Sequence, residues 1–464
     1  MSRLSLFALA FSASLLATAC GGSSGGSGGG NNNNNVEVAA LRHELFAAGI
    51  QPLPAPPPVS DELFALGQAL FFDKVLSGNE DVSCATCHMP EFFTGDGRTL
   101  SDGVGGLGLG PNRGGGAMIP RNSPPLFALH LKSELFWDGR VQDAGNVIVP
   151  PAVNLTDAMR AAFSPGLEMI GAQAMLPPVS REEMRGARGE NPLGDLGDGY
   201  NSSGGTEEST AQVWQALTER LLDLPGYVGL LSAAYPGVAF QDFTFAHAAN
   251  AIAAFEARAF ARTDSPFERF VRGDDQALTS AQVHGALDFF GAAGCVRCHS
   301  GSLFTDEQHH NIGLPQLGPG VGGCSFCGGG AAFAGEDIGR ENVTGRFEDR
   351  YMFRTPSLLN VELTAPYGHA GQFATLHNFV THYRDAALSN RQYDIQSNVF
   401  DQALVTLQVP NSELVLATLD LRLQAPNDFD VDNVVEFLHA LTARDASTLS
   451  EVVPASVPSG LPIL

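Results

Sequence analysis

The sequence predicts a mostly α-helical fold of two similar domains joined by long glycine-rich loops. Three observations predict it. Apolar residues recur at helical spacing in successive segments, with Ser, Thr or Asp at their starts. The pentapeptide Cys-x-x-Cys-His occurs twice, as Cys84-Ala85-Thr86-Cys87-His88 and Cys295-Val296-Arg297-Cys298-His299. The surroundings of the two copies match. Gly67, Phe71 and Phe72 repeat the mutual spacing of Gly285, Phe289 and Phe290, and Phe93-Thr94 follows His88 at the offset of Phe304-Thr305 from His299. Chance similarity of glycine-rich loops does not keep such a register, so an internal duplication is expected.

Cys-x-x-Cys-His is the attachment pattern for a c-type haem. The two thiols add to the haem vinyl groups and the histidine ligates iron from one face. Composition alone predicts about 0.003 such pentapeptides in this chain, so two are not coincidence. A zinc site would need further paired thiolates or imidazoles at ligand spacing. Cys324-Ser325-Phe326-Cys327 is only a half-site in a glycine loop and leaves both histidines unexplained. The expectation is two cytochrome-c-like haem domains with two covalently bound c-type haems, on Cys84, Cys87 and His88 and on Cys295, Cys298 and His299.

With 464 residues, 44% of them hydrophobic and 16% charged, the chain can bury sizeable cores. A net charge of -24 weighs against nucleic acid and suits partners with basic patches. Covalent haem attachment and the leftover pair Cys324/Cys327 both point outside the cytoplasm. The N-terminus agrees. Met1-Ser2-Arg3 precedes an apolar run from Leu4 to Ala19, too short for a lasting membrane span, and 1–20 reads as a signal peptide. Leu16-Ala17-Thr18-Ala19-Cys20 looks like a bacterial lipobox, followed by a Gly/Ser/Asn run over 21–36 that reads as a flexible tether. A periplasmic lipoprotein anchored at Cys20 is expected, the alternative being ordinary cleavage nearby with Cys20 removed.

Taken in order, a proline-rich stretch around Pro52 to Pro58 leads into a helix capped by Ser60, with Leu63, Leu66, Leu70 and Phe71 on one face. This helix delivers the chain to the first pentapeptide. Glycine-rich loops run from Gly95 to Gly116, followed by Arg121-Asn122-Ser123-Pro124-Pro125 and Phe136-Trp137-Asp138-Gly139-Arg140. The low-complexity break Gly194 to Thr210 marks the best domain boundary. It gives a first haem domain over 37–205, a second over 206–446 and a tail over 447–464. Helices are expected over Ala211 to Leu224, Phe243 to Phe260, Ala281 to Phe290 behind a Thr279/Ser280 cap, and Val431 to Leu441 near Asp430.

These motifs, in this order, resemble the bacterial di-haem cytochrome c peroxidase superfamily, which includes the MauG-type enzymes. The resemblance runs from about Leu66 to Asp385. It rests on the segment Leu66 to Asp73, the two pentapeptides, Phe136-Trp137-Asp138-Gly139-Arg140, Asp264-Ser265-Pro266-Phe267, Arg354-Thr355-Pro356-Ser357-Leu358 and Leu363-Thr364-Ala365-Pro366-Tyr367-Gly368-His369. It implies that hydrogen peroxide reacts at the N-terminal haem, held by His88 with its other face open, and that the C-terminal haem relays electrons. It implies a glutamine and, ten residues later, a Glu-Met pair beside the open face, here Gln173 and Glu183-Met184. Glu183 would be the acid-base group that moves a proton from the inner to the outer oxygen of peroxide. Glu168-Met169 is a rival pair. Trp137 resembles the family tryptophan between the haems. Asn122, Thr364 and Pro366 resemble ligands of an inter-domain Ca2+, a hard cation suited to amide and carbonyl oxygens.

Two departures shape the expectations. Peroxidases that need reductive activation carry a histidine just before the Arg-Asn-Ser-Pro turn, and Gly110 to Pro120 has none, so the first pocket is expected to be open at rest. The second haem's other axial ligand is methionine in the peroxidase branch, nineteen residues after the calcium-loop threonine. Here that position is Tyr383, with His382 and His377 as neighbouring alternatives. Cys324 and Cys327 have no family counterpart; a local disulfide is favoured over a redox or metal role. Three functions compete. The first is a peroxidase fed by a small periplasmic cytochrome c or cupredoxin. The second is a MauG-type enzyme that oxidises residues on a protein substrate, and the third is a non-enzymatic electron carrier.

Overall fold

Gly67 and Gly285 set the framework. Each lies inside a helix, Asp61–Phe72 and Ser280–Phe290, where a Cβ would sit 1.8 Å from a backbone carbonyl oxygen of a crossing helix. The carbonyl belongs to Ala251 of Phe245–Ala259 in the first case and to Asn433 of Val431–His439 in the second. Glycine costs a helix about 1 kcal/mol relative to alanine, and here it permits a backbone approach that any side chain would block. At each crossing a phenylalanine four residues beyond that carbonyl meets a phenylalanine of the glycine-bearing helix. The ring centroids lie 5.0 Å apart for Phe71 and Phe255 and 5.1 Å apart for Phe289 and Phe437. Phe71, Phe72, Phe255 and Phe260 are 0% exposed; burying each contributes roughly 1.5–3 kcal/mol.

The computed structural model describes residues 29–150, 155–197, 207–321, 336–399, 404 and 412–463. Cys20, the leader and the Cys324/Cys327 pair lie outside the described residues. The fold is predominantly helical, and the expected caps are formed. Ser60 accepts from the Leu63 N–H at 3.2 Å, Asp430 from Asn433 at 3.1 Å, and Thr279 exchanges bonds with Gln282 in a capping box. The named sheet strands, among the described residues, form two small antiparallel sheets. Glu134–Leu135, Val141–Asp143 and Val147–Ile148 pair consecutively, with Leu135 opposite Val141 and Gln142 opposite Ile148. His309–His310 pairs with Phe353–Arg354.

The partition of the chain differs from the boundary expected at 205/206. One hydrophobic core draws on residues from Leu66 to Phe260, and a second on Leu41 to Leu53 together with Phe267 to Leu441. Helices Glu207–Leu222, Pro225–Ala234 and Phe245–Ala259 therefore return to the first core after the low-complexity break. The expected tail is also integrated. Leu449 and Val457 join the first core, Val452 O accepts from Gln68, and Ser459 Oγ donates to buried Asp73 at 2.6 Å. The expected tether over 21–36 overlaps a helix, Gly29–Ala47, whose Leu41 and Leu45 are buried in the second core. Docking of that apolar face holds a helix that glycine and asparagine would not sustain alone.

Candidate active site

In both pentapeptides the histidine Nδ1 is held by a backbone carbonyl a few residues further on. Ser83 and Thr86 form a capping box over the short helix Cys84–Cys87, and His88 Nδ1 lies 2.8 Å from Thr94 O. His299 Nδ1 lies 2.8 Å from Phe304 O. Phe93, Thr94 and Phe304 adopt positive φ (53°, 69° and 53°), which turns the chain back to present these carbonyls. A carbonyl acceptor on Nδ1 fixes the proton there and leaves Nε2 as the metal-binding nitrogen. The four pentapeptide cysteines form no disulfide, and burial pushes the Cys84 and Cys295 thiols up to about 12.

Each pentapeptide opens onto a cavity with largely apolar walls. Paired neutral thiols, an imidazole with Nε2 free and a large apolar-walled space form a donor set that fits haem in both places.

The first cavity is lined by Cys84, Cys87 and His88, and also by Gln173, Glu183 and Trp137. Gln173 comes from the helix Glu168–Ala174, and Glu183 from a single π-type turn, Arg181–Arg185, capped by Ser180. Burial pushes the Glu183 carboxyl up to about 7; Arg140 opposes the shift and Glu182 adds to it. Glu168 is not in the cavity wall; its Oε2 accepts from Gly166 N–H at 2.8 Å. Ser101 and Ile119 of the long loop reach the wall, and among the described residues His88 is its only imidazole. Glu256, absent from the sequence reading, also lines this cavity. It is 5% exposed, its Oε2 has no hydrogen-bond partner, and burial raises it to about 8. Helical periodicity predicts a helix over Phe243 to Phe260, but nothing local ties Glu256 to His88.

Trp137 stands at the tip of the hairpin Glu134–Asp143 and lines both cavities. Its Nε1 donates to Asn122 O at 2.8 Å, and its carbonyl accepts from Arg354 N–H at 2.8 Å. Arg121 ties the halves together here: it binds Asp337 through two bonds of 2.5 and 2.8 Å and Asp138 at 2.6 Å. The expected calcium ligands Asn122, Thr364 and Pro366 lie along the second cavity. Asn122 Nδ2 donates to Arg98 O at 3.0 Å, and Thr364 Oγ1 donates to Val361 O at 3.1 Å.

Tyr383 caps the helix Leu376–His382 and lines the second cavity with Cys295, Cys298 and His299. Burial raises its phenol above the usual range, with the neighbouring Cys298 and Cys295 adding to the shift. Both ring nitrogens of His382 are engaged, Nδ1 with Ser389 Oγ at 2.9 Å and Nε2 with Ile312 O at 2.7 Å. His377 faces Asp432 at 3.3 Å and does not line the cavity.

A helical frame carrying two such cavities with one tryptophan in both walls defines a class of di-haem c-type redox proteins. The family model for di-haem cytochrome c peroxidase matches residues 61–276. The chain is 30% identical over 353 residues to the methylamine utilization protein MauG of Methylorubrum extorquens, covering 75% of each chain. It is 29% identical to cytochrome c551 peroxidase of Pseudomonas aeruginosa, over 86% of this chain and 84% of that one. Among solved structures, a MauG-like protein associated with microbial copper homeostasis matches with TM-score 0.54 at 25% identity, over 85% of this chain and 94% of that one. The diheme peroxidase BthA from Burkholderia thailandensis shares the fold, with TM-score 0.53 at 20% identity over 83% and 87% of the two chains. The chain belongs to the di-haem cytochrome c peroxidase family. It is an oxidoreductase of that type, which removes the electron-carrier alternative, and family membership implies two c-type haems.

Proposed function

We propose that the protein reduces hydrogen peroxide to water at the His88 haem, with electrons relayed through the His299 haem from a small periplasmic cytochrome c or cupredoxin. The observation that carries this reading is Glu183, a carboxyl near its midpoint at neutral pH, in the same cavity as His88 and with no second imidazole in the described wall. The haem, when bound, supplies the iron and the electrons. The chain supplies the proton traffic. Glu183 takes the proton from one peroxide oxygen and returns it to the other, which leaves as water; two electrons and two further protons complete the reduction. Gln173 orients the peroxide by hydrogen bonding, and Trp137 bridges the cavities as a stepping residue. Steady-state peroxide consumption with reduced cytochrome c tests the reading; absence of turnover with an array of small donors would count against it.

One observation favours a second reading, MauG-type oxidation of a protein substrate. Tyr383 faces the second cavity while the neighbouring histidines are engaged or outside it. A phenolate on iron favours ferric and higher oxidation states, whereas methionine raises the potential. A Tyr383-ligated haem would share an oxidising equivalent better than it would hold an electron. We also propose Ca2+ near Asn122, Thr364 and Pro366, and a periplasmic lipoprotein anchored at Cys20. The intact mass of the mature N-terminus decides the anchor, because an unacylated end beyond Cys20 excludes it. The matched crossings at Gly67 and Gly285 support an internal duplication.

A further inference from the structure

Four cationic side chains line the first cavity: Arg121, Lys132, Arg140 and Arg354. Two are neutralised by carboxylates, since Arg121 binds Asp138 and Asp337 and Arg140 binds Asp138 at 3.1 Å. The other two are not. Arg354 is 5% exposed, and its side chain donates only to backbone carbonyls, Phe136 O and Thr355 O, each at 3.2 Å. Lys132 follows the short turn Leu129–Leu131, and its ammonium has no hydrogen bond or ion pair in the described structure. Of the acids near this pair, Glu307 accepts from Ser133 N–H at 2.8 Å and from Ser133 Oγ at 2.5 Å, Asp138 is bound by Arg121 and Arg140, and Glu134 forms no ion pair with Lys132 or Arg354 in the described structure.

Two cations on one cavity wall, in a chain with 50 acidic and 26 basic residues, have been left without a carboxylate of its own. Arg354 is buried and Lys132 half-buried, and an unpaired charge drawn out of water is costly unless an opposite charge arrives. An ammonium offers three donors and a guanidinium a planar fork suited to carboxylate. We infer that Lys132 and Arg354 form the carboxylate-binding end of the first cavity and hold a propionate of the His88 haem. Arg354 lines the second cavity as well, so its guanidinium serves a carboxylate on either side of Trp137. The site rests on the reading that both cavities hold haem. The pair's electrostatics agree with it: burial, with Arg354 adding to it, pushes Lys132 down to about 7, and burial lowers Arg354 too. Both are the shifts of cations awaiting a counter-ion.

The test uses the two-haem protein and the variants Lys132→Met and Lys132→Arg. Lys132 makes no side-chain hydrogen bond, so its replacement removes charge without unpicking structure. Haem content is counted first; fewer than two haems in the unmodified protein defeats the underlying reading. With two haems present, Lys132→Met is expected to lower the midpoint potential of the His88 haem and leave the His299 haem unmoved. It should also shift the propionate bending bands in resonance Raman spectra, while Lys132→Arg restores both. Arg354→Met should move the potentials of both haems. Two haems with unmoved potentials and propionate bands in Lys132→Met would overturn the inference while leaving the peroxidase reading intact.

Discussion

Replacing Glu183 with glutamine preserves the side-chain volume in the first cavity and removes the proton acceptor. The expected loss follows from the role: a positioned general acid-base group contributes about 10²–10⁴-fold, which is about 2.7–5.4 kcal/mol at 1.36 kcal/mol per decade. The structure adds a pH signature. Burial holds the Glu183 carboxyl at about 7, above the usual carboxylate range, so the proton-accepting form appears only as pH rises through that value. About one-tenth is ionised at pH 6 and about nine-tenths at pH 8, so the rate should rise roughly tenfold between them and then level off. Stopped-flow absorbance of the ferric protein mixed with hydrogen peroxide, from pH 5 to 9, measures both quantities. Glu183→Gln should be slow and pH-flat over that window. Glu256→Gln is the control, because Glu256 is the other carboxyl in the wall and burial raises it to about 8. An unmodified rate in Glu183→Gln, or the loss appearing in Glu256→Gln instead, would refute the assignment.

Trp137→Phe keeps an aromatic in the shared wall but removes the indole and its bond to Asn122 O. It should slow electron transfer between the haems at least tenfold with peroxide binding unchanged, and equal inter-haem rates would discard the relay. Tyr383→Met should raise the potential of the His299 haem, in the direction that methionine ligation sets; an unchanged potential and Raman spectrum would remove Tyr383 from the iron. Chelation of Ca2+ should slow reduction of peroxide by an external donor and reverse on adding calcium, whereas indifference to chelator with no calcium found by elemental analysis would exclude the site.

Much of the frame was legible because it is written in local patterns. Helical periodicity and caps gave the helices around Leu66, Ala251, Phe289 and Val434, and the pentapeptides pointed to the two cavities that their cysteines and histidines line. Spacing along the family pattern brought Gln173, Glu183 and Trp137 to one cavity wall and separated Glu183 from Glu168. What failed was long-range. The break near Gly194 looked like a domain boundary, yet packing returns three further helices to the first core. The Gly29–Ala47 helix takes its stability from a surface more than two hundred residues away in sequence, around Phe270 and Phe289. Glu256 and Lys132 are ordinary residues in their own segments, and Arg354 was legible only as part of a family motif with no role attached; only the fold brings all three to the cavity of His88.

The central claim is that peroxide reacts at the His88 haem and not at the His299 haem. The optical spectrum of the ferric protein, recorded before and after adding hydrogen peroxide, tests it when repeated on a Cys84→Ala/Cys87→Ala variant. The account predicts an immediate spectral change in the unmodified protein. It predicts no response in the variant, which keeps the absorption of the His299 haem. A variant that still responds at full rate, or an unmodified protein whose two haems are both six-coordinate and inert to peroxide, would contradict it.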